Sequence, residues 1–310
     1  MSKYFFIVNP TAGGGRAKTK IEKMLPFIES MLGDYKIFET NKPGHAITLT
    51  RSILKENAAP IIVSCGGDGT NNEVINGFIE NDALINPKAK LAFLPVGSGN
   101  DFSRTLRIPG SPEKRVEMIK NEKQSYTKIG KVFLTEFEGQ EIKRYFINAC
   151  SFGLTSSIAL AINKSKKIFG AKIAYFYLSL KSIFNFKPFR VKIVYDNTGT
   201  FTGSFSNLVI ANGKYMGCGL KVLPHAEILT KYFDLLLSPG MQKLKLISTF
   251  IKIPLGLHLK SAGIELHRIM ELRAESENNK DVFVEVDGEI LGTLPMKFAV
   301  LPEKISILVP

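Results

Sequence analysis

Short apolar runs and amphipathic stretches take turns along the first third of the chain. Residues 3–8 form an apolar run ending in Asn9-Pro10, and residues 16–31 follow with helical spacing, bent at Pro26. Residues 35–39 predict a second strand and residues 45–57 a second helix. Residues 60–64 predict a buried strand that runs into a glycine-rich turn, then an amphipathic helix over about 71–80. Residues 91–95 repeat that strand and its ending. Short apolar strands alternating with helices predict a parallel sheet covered on both faces. Ligands bind such sheets at the carboxyl ends of the strands. Three of those ends carry polar, glycine-rich loops here, at residues 9–15, 66–70 and 97–100.

The texture changes after about Lys128. Strand-like segments at 129–137, 143–149, 189–195, 207–211 and 282–286 are separated by turns, with helical patterns between them. This predicts a second, mainly β domain with helical insertions. Residues 305–309 read as a buried strand with no partner legible in the pattern. There is no internal repeat.

Composition narrows the class. The chain has 310 residues, 45% hydrophobic and 22% charged, with 41 Lys and Arg against 28 Asp and Glu and a net charge of +13. That balance excludes a disordered tail or a collagenous fibre, and the length fits two domains. No window approaches the roughly 18 apolar residues a membrane-spanning helix needs. The apolar run from Tyr4 to Val8 is too short for a signal peptide, which makes the cytoplasm the expected location. Cys65, Cys150 and Cys218 lie far apart without a CxxC, and His45, His225, His258 and His267 include no HExxH pair. A disulfide framework and a cysteine-rich zinc site are therefore not expected.

The positive charge is clustered. Residues 151–195 contain no acid but carry Lys164, Lys166, Lys167, Lys172, Lys181, Lys187, Arg190 and Lys192 among many aromatics, Phe169 and Tyr175 included. Residues 235–264 also lack acids and carry Lys243, Lys245, Lys252 and Lys260 among Leu, Ile and Phe. Such stretches suit an anionic membrane surface or nucleic acid, and equally a solvated basic face over an ordinary core.

The chemistry gathers at Cys65-Gly66-Gly67-Asp68-Gly69-Thr70. Thr70 and Glu73 have capping-box spacing, which predicts a helix starting at Thr70. Glycines let the backbone approach a ligand, and N–H groups at a helix start favour anions. A carboxylate there repels phosphate unless a metal joins them, so Asp68 reads as a magnesium organiser or a base acting on a hydroxyl. It reads equally as an acid that merely satisfies the donors of a tight turn. A Walker A lysine signature is absent, and so is a GxGxxG in the first domain, which excludes a standard P-loop or Rossmann site.

Three motifs stand in order: Asn9-Pro10-Thr11-Ala12-Gly13-Gly14-Gly15-Arg16, Gly66 through Gly77, and Leu94 through Arg104. Together they resemble the diacylglycerol kinase catalytic domain family, which includes bacterial lipid kinases and sphingosine and ceramide kinases. Val286-Asp287-Gly288-Glu289 matches the family's closing Asp-Gly-Glu. Gly-Gly-Asp-Gly-Thr is shared with NAD kinases, whereas the Asn-Pro and Gly-Ser-Gly-Asn-Asp-Phe loops favour the lipid-kinase branch.

The resemblance implies an α/β nucleotide-binding domain with a parallel sheet over residues 1–128. It implies a β-sandwich-like lipid-substrate domain over 129–310, with about 297–310 returning to the first, and ATP in the cleft between them. By the same resemblance, Asn9 and the backbone of Gly13, Gly14 and Gly15 line the phosphates. Thr40, Gly66, Gly67, Gly69, Thr70, Gly97, Ser98, Gly99 and Asn100 complete the nucleotide pocket. Asp68, Asp101, Asp287 and Glu289 form an acidic catalytic cluster. Within it Asp68, Asp101 and Glu289 face Mg2+, and Asp68 or Glu289 is the base.

One departure is visible. Thr230-Lys231 stands where many bacterial members have Asp-Gly after Pro224-His225-Ala226, although Asp234 remains. That puts a second, structural magnesium site in doubt. The implied activity is ATP-dependent transfer of phosphate to a lipid hydroxyl, with peripheral contact to the inner face of an anionic membrane. No nucleic-acid partner is expected, and a homodimer stays open. The alternatives are an NAD kinase and a nucleotide-binding membrane-associated pseudokinase without turnover.

Overall fold

In the computed structural model, which describes residues 3–136, 139–164, 171–197, 199–277 and 281–310, the first apolar run becomes the strand Tyr4–Val8 with every residue buried. Two units are distinguished: Met1–Ile129 with Leu301–Pro310, and Gly130–Val300. In the first, Tyr4–Val8 pairs in parallel with Tyr35–Glu39 on one side and Ile61–Gly66 on the other. Ile61–Gly66 pairs in parallel with Lys90–Pro95. The closing strand finds its partner here, with Ser306 and Ile307 lying parallel to Lys90 and Leu91. Phe6, Val8, Val63, Cys65, Ala92 and Leu94, alternate positions on neighbouring strands, share one core with Ala17, Ile21, Ile28 and Ile119. Side chains on both faces of Tyr4–Val8, Ile61–Gly66 and Lys90–Pro95 are buried, which is why these three read as continuous apolar runs, whereas Tyr35–Glu39 at the end of the sheet is partly exposed.

Two helical expectations are corrected. The stretch 16–31 is split into Ala17–Glu22 and Leu25–Leu32, with Pro26 in the first turn of the second helix, where its missing N–H costs nothing. The helix after the glycine turn begins at Asp68, not Thr70, and spans Asp68–Phe78 with Gly67 as its N-cap. Glu73 is engaged elsewhere. Its carboxylate accepts the backbone N–H groups of Gly44 (2.8 Å) and Ala46 (3.1 Å), capping the helix His45–Glu56. The capping-box spacing was real, but its acid serves a different helix.

The second unit is built from antiparallel strands. Gly199–Ala211 pairs with Phe189–Tyr195 over its first half and with Ala149–Gly153 over its second. Phe189–Tyr195 pairs with Glu271–Ser276, which pairs with Glu289–Leu308. Glu289–Leu308 pairs also with Phe283–Val286, and that strand returns to Ala149–Gly153. The ladder therefore closes into a β-barrel, where a sandwich-like domain was expected. Two long strands change partners midway, and irregular registers at Phe205/Asn207 and Val284/Glu285 let the sheet bend. Closure leaves the ring without edges. Phe146, Phe152, Phe205, Phe233 and Phe298 fill the core.

The helices Leu154–Lys164, Ala171–Asn185 and Lys243–Lys252 are the insertions. No described helix is long and apolar enough to cross a membrane. The aromatics of the basic stretch divide: Phe186 and Phe189 are buried, whereas Phe176, Tyr177 and Phe184 are exposed. Lys166, Lys167 and Phe169 lie outside the described residues.

One helix contact in the first unit depends on a missing side chain. A Cβ on Gly77 would stand 2.5 Å from Thr50 Cβ and 2.8 Å from the Ile47 carbonyl oxygen, so Asp68–Phe78 and His45–Glu56 touch through backbone. Gly77→Ala is expected to destabilise the protein by about 1–3 kcal/mol, the usual cost of overpacking. A urea titration should show a lower midpoint with an unchanged slope.

Candidate active site

Because the first-unit strands are parallel, their carboxyl ends share one edge, and the predicted loops leave from it. Backbone bonds extend the ladder past the strands: Asn9 N–H donates to Cys65 O (3.0 Å), Thr40 N–H to Val8 O (2.8 Å), and Gly97 N–H to Gly66 O (3.0 Å). Asn9 Nδ2 then donates to Thr70 Oγ1 (3.1 Å), while Asn9 Oδ1 accepts from the backbone and hydroxyl of Thr11. Thr70 lies under Gly66, where a Cβ would meet its hydroxyl at 2.2 Å. The first two motifs are thus joined by side chains.

The third motif is joined by backbone. A Cβ on Gly97 would lie 2.4 Å from Gly67 Cα, so the two turns press together with no room for a side chain. Gly13, at φ +64°, takes a left-handed conformation against the Val96 carbonyl, which a Cβ there would approach to 2.5 Å. Gly14 and Gly15 are also left-handed, with open space where a Cβ would be. Ser98 is exposed, Thr40 and Gly69 are half-buried, and Asn100 adopts a left-handed conformation with Nδ2 donating to Gly97 O (2.8 Å).

Two acids converge at this edge. Asp68 Oδ1 accepts the backbone N–H of Asp101 at 3.0 Å, at the start of the short helix Asp101–Thr105. Phe102 packs edge-on against Phe93 of the strand Lys90–Pro95, with ring centroids 5.5 Å apart, which pins that helix to the sheet. A Cβ on Gly99 would be 2.5 Å from Asp68 Oδ2 and 3.8 Å from Asp101 Oδ2, so both carboxylates border the same glycine. Burial pushes the Asp68 carboxyl above its usual range, although backbone N–H groups of Asp101, Asn100 and Phe102 pull the other way. Asp101 is buried, with Arg104 Nε at 3.8 Å.

The other predicted acids belong to the second unit. Asp287 is buried at a left-handed turn, and its carboxylate accepts the backbone N–H groups of Asn148 (3.1 Å), Ala149 (2.9 Å) and Ile147 (3.4 Å). Those bonds interrupt the predicted strand 143–149, which becomes Glu141–Phe146 and Ala149–Gly153. Glu289 is exposed at the start of its strand. Pattern reading missed Glu285, a buried acid that accepts hydrogen bonds from Ser151 Oγ and Gly288 N. It also missed Lys20, whose Nζ donates to Val96 O at 2.8 Å beneath the glycine loop. Burial lowers the Lys20 pKa, with help from the charges of Arg16 and Arg115. Lysine in a predicted helix carried no signal that it would turn toward that carbonyl.

Magnesium needs one or two carboxylates and takes its remaining ligands from water and phosphate. Asp68 and Asp101 fit that requirement around Gly99. Among the described residues no three His, Cys, Asp or Glu side chains gather as a metal cage, so phosphate oxygens would have to complete the shell. The loop around Thr230 does not fit a second ion. Thr230 Oγ1 donates to the Glu227 and Tyr232 carbonyls, Lys231 lies 5.0 Å over the Tyr232 ring, and Asp234 faces Arg268 at 3.4 Å.

A parallel sheet with glycine turns and paired carboxylates at one edge defines the α/β unit, which is joined in one chain to a β-barrel. The chain belongs to the diacylglycerol kinase catalytic domain family, a family of lipid kinases: that pattern matches residues 3–132, and a YegS C-terminal NAD kinase beta sandwich-like domain matches 148–309. It is 29% identical to "Putative lipid kinase YtlR" of Bacillus subtilis (strain 168), covering 99% of each chain. It is 27% identical to a diacylglycerol kinase of Staphylococcus carnosus (strain TM300), covering 98% of this chain and 94% of that one. In fold it is similar to a crystal structure named "putative diacylglycerol kinase from Bacillus anthracis str. Sterne", with a TM-score of 0.77, 24% identity, and 100% and 95% of the two chains covered.

Three outcomes follow from these acids. Asp287→Ala strips three buried backbone donors of their acceptor and should cost about 3 kcal/mol, whereas exposed Glu289→Gln should stay within about 0.5 kcal/mol. Denaturant unfolding reads both. For Asp68 the sign is opposite. A carboxyl whose folded pKa is raised opposes folding once it ionises, a cost absent below the unfolded pKa and complete above the folded one. Without added divalent metal, Asp68→Asn should therefore melt higher than the parent at pH 7, the difference vanishing toward acid pH. Equal melting temperatures at pH 7 would contradict the desolvation of the half-buried Asp68 carboxylate.

Proposed function

We propose that the chain is an ATP-dependent lipid kinase that transfers the γ-phosphate of ATP to the hydroxyl of diacylglycerol or a related lipid, working peripherally at an anionic membrane. The convergence of Asp68 and Asp101 on Gly99, at the strand edge that also carries the Gly13–Gly15 loop, is the observation that supports this reading most. Phosphoryl transfer asks for positioning and charge neutralisation more than for covalent help.

In this reading the backbone of Gly13 to Gly15, Gly67 and Gly97 to Gly99 lies along the nucleotide phosphates. Asn9 and Thr70 hold the two turns together, and Thr40, Gly66, Gly69, Ser98 and Asn100 shape the pocket. Asp68 accepts the proton of the acceptor hydroxyl at Oδ2. When bound, Mg2+ would be held by Asp68 and Asp101 and would neutralise phosphate charge. Asp287 acts through the backbone it holds, and Glu289 is the alternative base. The NAD kinase reading draws on the shared glycine turn and the name of the C-terminal domain pattern.

A radiolabelled-ATP assay offering diacylglycerol, phosphatidylglycerol, sphingosine, ceramide and NAD side by side tests the reading. Labelled lipid is expected, with turnover at least 100-fold lower in Asp68→Asn. Gly97→Val should lose ATP binding by calorimetry, because its side chain would enter the contact with Gly67. Labelled NAD alone, or no product at all, would overturn the proposal.

A further inference from the structure

The geometry points to a membrane-docking face on the second unit, formed by the helix Lys243–Lys252 and the 3-10 turns Ile253–Leu255 and Leu257–Lys260, that seats on an anionic lipid bilayer. This inference rests on the lipid-kinase reading for its biological setting and on the surface itself for its chemistry.

The helix buries Leu246 and Phe250 and turns its other side outward. Leu244 and Ile251, seven residues apart and so on one side of the helix, are 81% and 59% exposed. Leu255 and Leu257 in the following turns are 75% and 45% exposed. Four large aliphatic side chains in fourteen residues is a concentration a solvated face does not need. Lysines flank them. Lys245 and Lys252 repeat the seven-residue spacing along one side, Lys243 and Lys260 stand at the two ends, and all four are exposed. From Leu235 to Ile264 the chain itself carries no acid. The neighbouring helix Ala171–Asn185 extends the surface: Phe176 packs on Phe250 with ring centroids 5.8 Å apart, and exposed Tyr177, Lys181 and Phe184 follow at helical spacing.

Charge selects the occupant. A second copy docked through the same patch would set this lysine set against itself, because a two-fold interface pairs each patch with its own image. Nucleic acid would meet the lysines but leave the aliphatic tips with nothing to stack on. An anionic bilayer satisfies both, with ammonium groups at the phosphate level and Leu and Ile among the upper acyl carbons.

The test is co-sedimentation of the full chain with phosphatidylglycerol vesicles and with phosphatidylcholine vesicles. The parent should bind the first at least tenfold more tightly. The triple variant Leu244→Gln, Ile251→Gln, Leu255→Gln should bind at least tenfold more weakly in low and high salt alike. The pair Lys245→Gln, Lys252→Gln should lose about 25-fold in low salt, at about fivefold per lysine, and less in high salt. All changes are at exposed positions, and far-ultraviolet circular dichroism should confirm native folding. Equal vesicle binding by parent and variants overturns the docking face, as does a triple variant that only converts a dimer to a monomer in sedimentation. Turnover on a short-chain, water-dispersed diacylglycerol separates the two readings. Lost vesicle binding with turnover kept supports the docking face, whereas vesicle binding in a protein that phosphorylates no lipid would sink the kinase reading and leave the docking face standing.

Discussion

The first unit is organised by a contact between two pieces of backbone, the turns at Gly67 and Gly97. A Cβ on Gly97 would come within 2.4 Å of Gly67 Cα, so the strands Ile61–Gly66 and Lys90–Pro95 can deliver their loops to one place only while position 97 is glycine. That approach sets Asp68, one residue beyond Gly67, beside the N–H of Asp101, four residues beyond Gly97. It also explains why Asp68 is carried into a setting that disfavours its charge. The penalty is tolerated because the N–H groups at the start of Asp101–Thr105 stand where the charge lies.

Asp68 and Asp287 show one device put to two uses. Each is a carboxylate set against backbone N–H groups. Asp287 has both oxygens engaged, bridging Ile147, Asn148 and Ala149 to the turn before the last long strand. Asp68 receives Asp101 N–H on Oδ1, while Oδ2 stands over Gly99 beside Asp101. The first arrangement leaves little capacity for chemistry and much for architecture. The second leaves an oxygen positioned for a proton or a cation.

Positive charge is distributed by a different logic. Within the first unit, Lys3 and Lys90 both converge on Glu122. Lys243–Lys252 and the turns after it carry no acid of their own, and their exposed lysines frame aliphatic tips. An ion pair spends charge internally, whereas the second pattern keeps it available to a surface outside the protein.

Local pattern determined most of the elements. Tyr35–Glu39 and Phe189–Tyr195 were legible to the residue, because apolar alternation and turn residues act within a few positions of one another. The glycine loops and Asp68 stood out for the same reason, being a short motif of unusual composition, whereas Asp101, Asp287 and Glu289 were marked only by their motifs' resemblance to the diacylglycerol kinase family. Tertiary structure decided whatever depended on distant partners. Glu73 caps a helix 27 and 29 residues earlier in the chain and leaves the helix start to Asp68. Asp287 breaks a strand some 140 residues away, and the ring of strands closes only because Phe283–Val286 returns to Ala149–Gly153. The basic stretches were visible as composition, but which of their aromatics and aliphatics are buried was settled by packing. A sequence encodes which side chains could make such contacts. Which of them meet is decided by the folded chain, since a carboxylate can answer any backbone donor brought within reach, and only the fold says which one is.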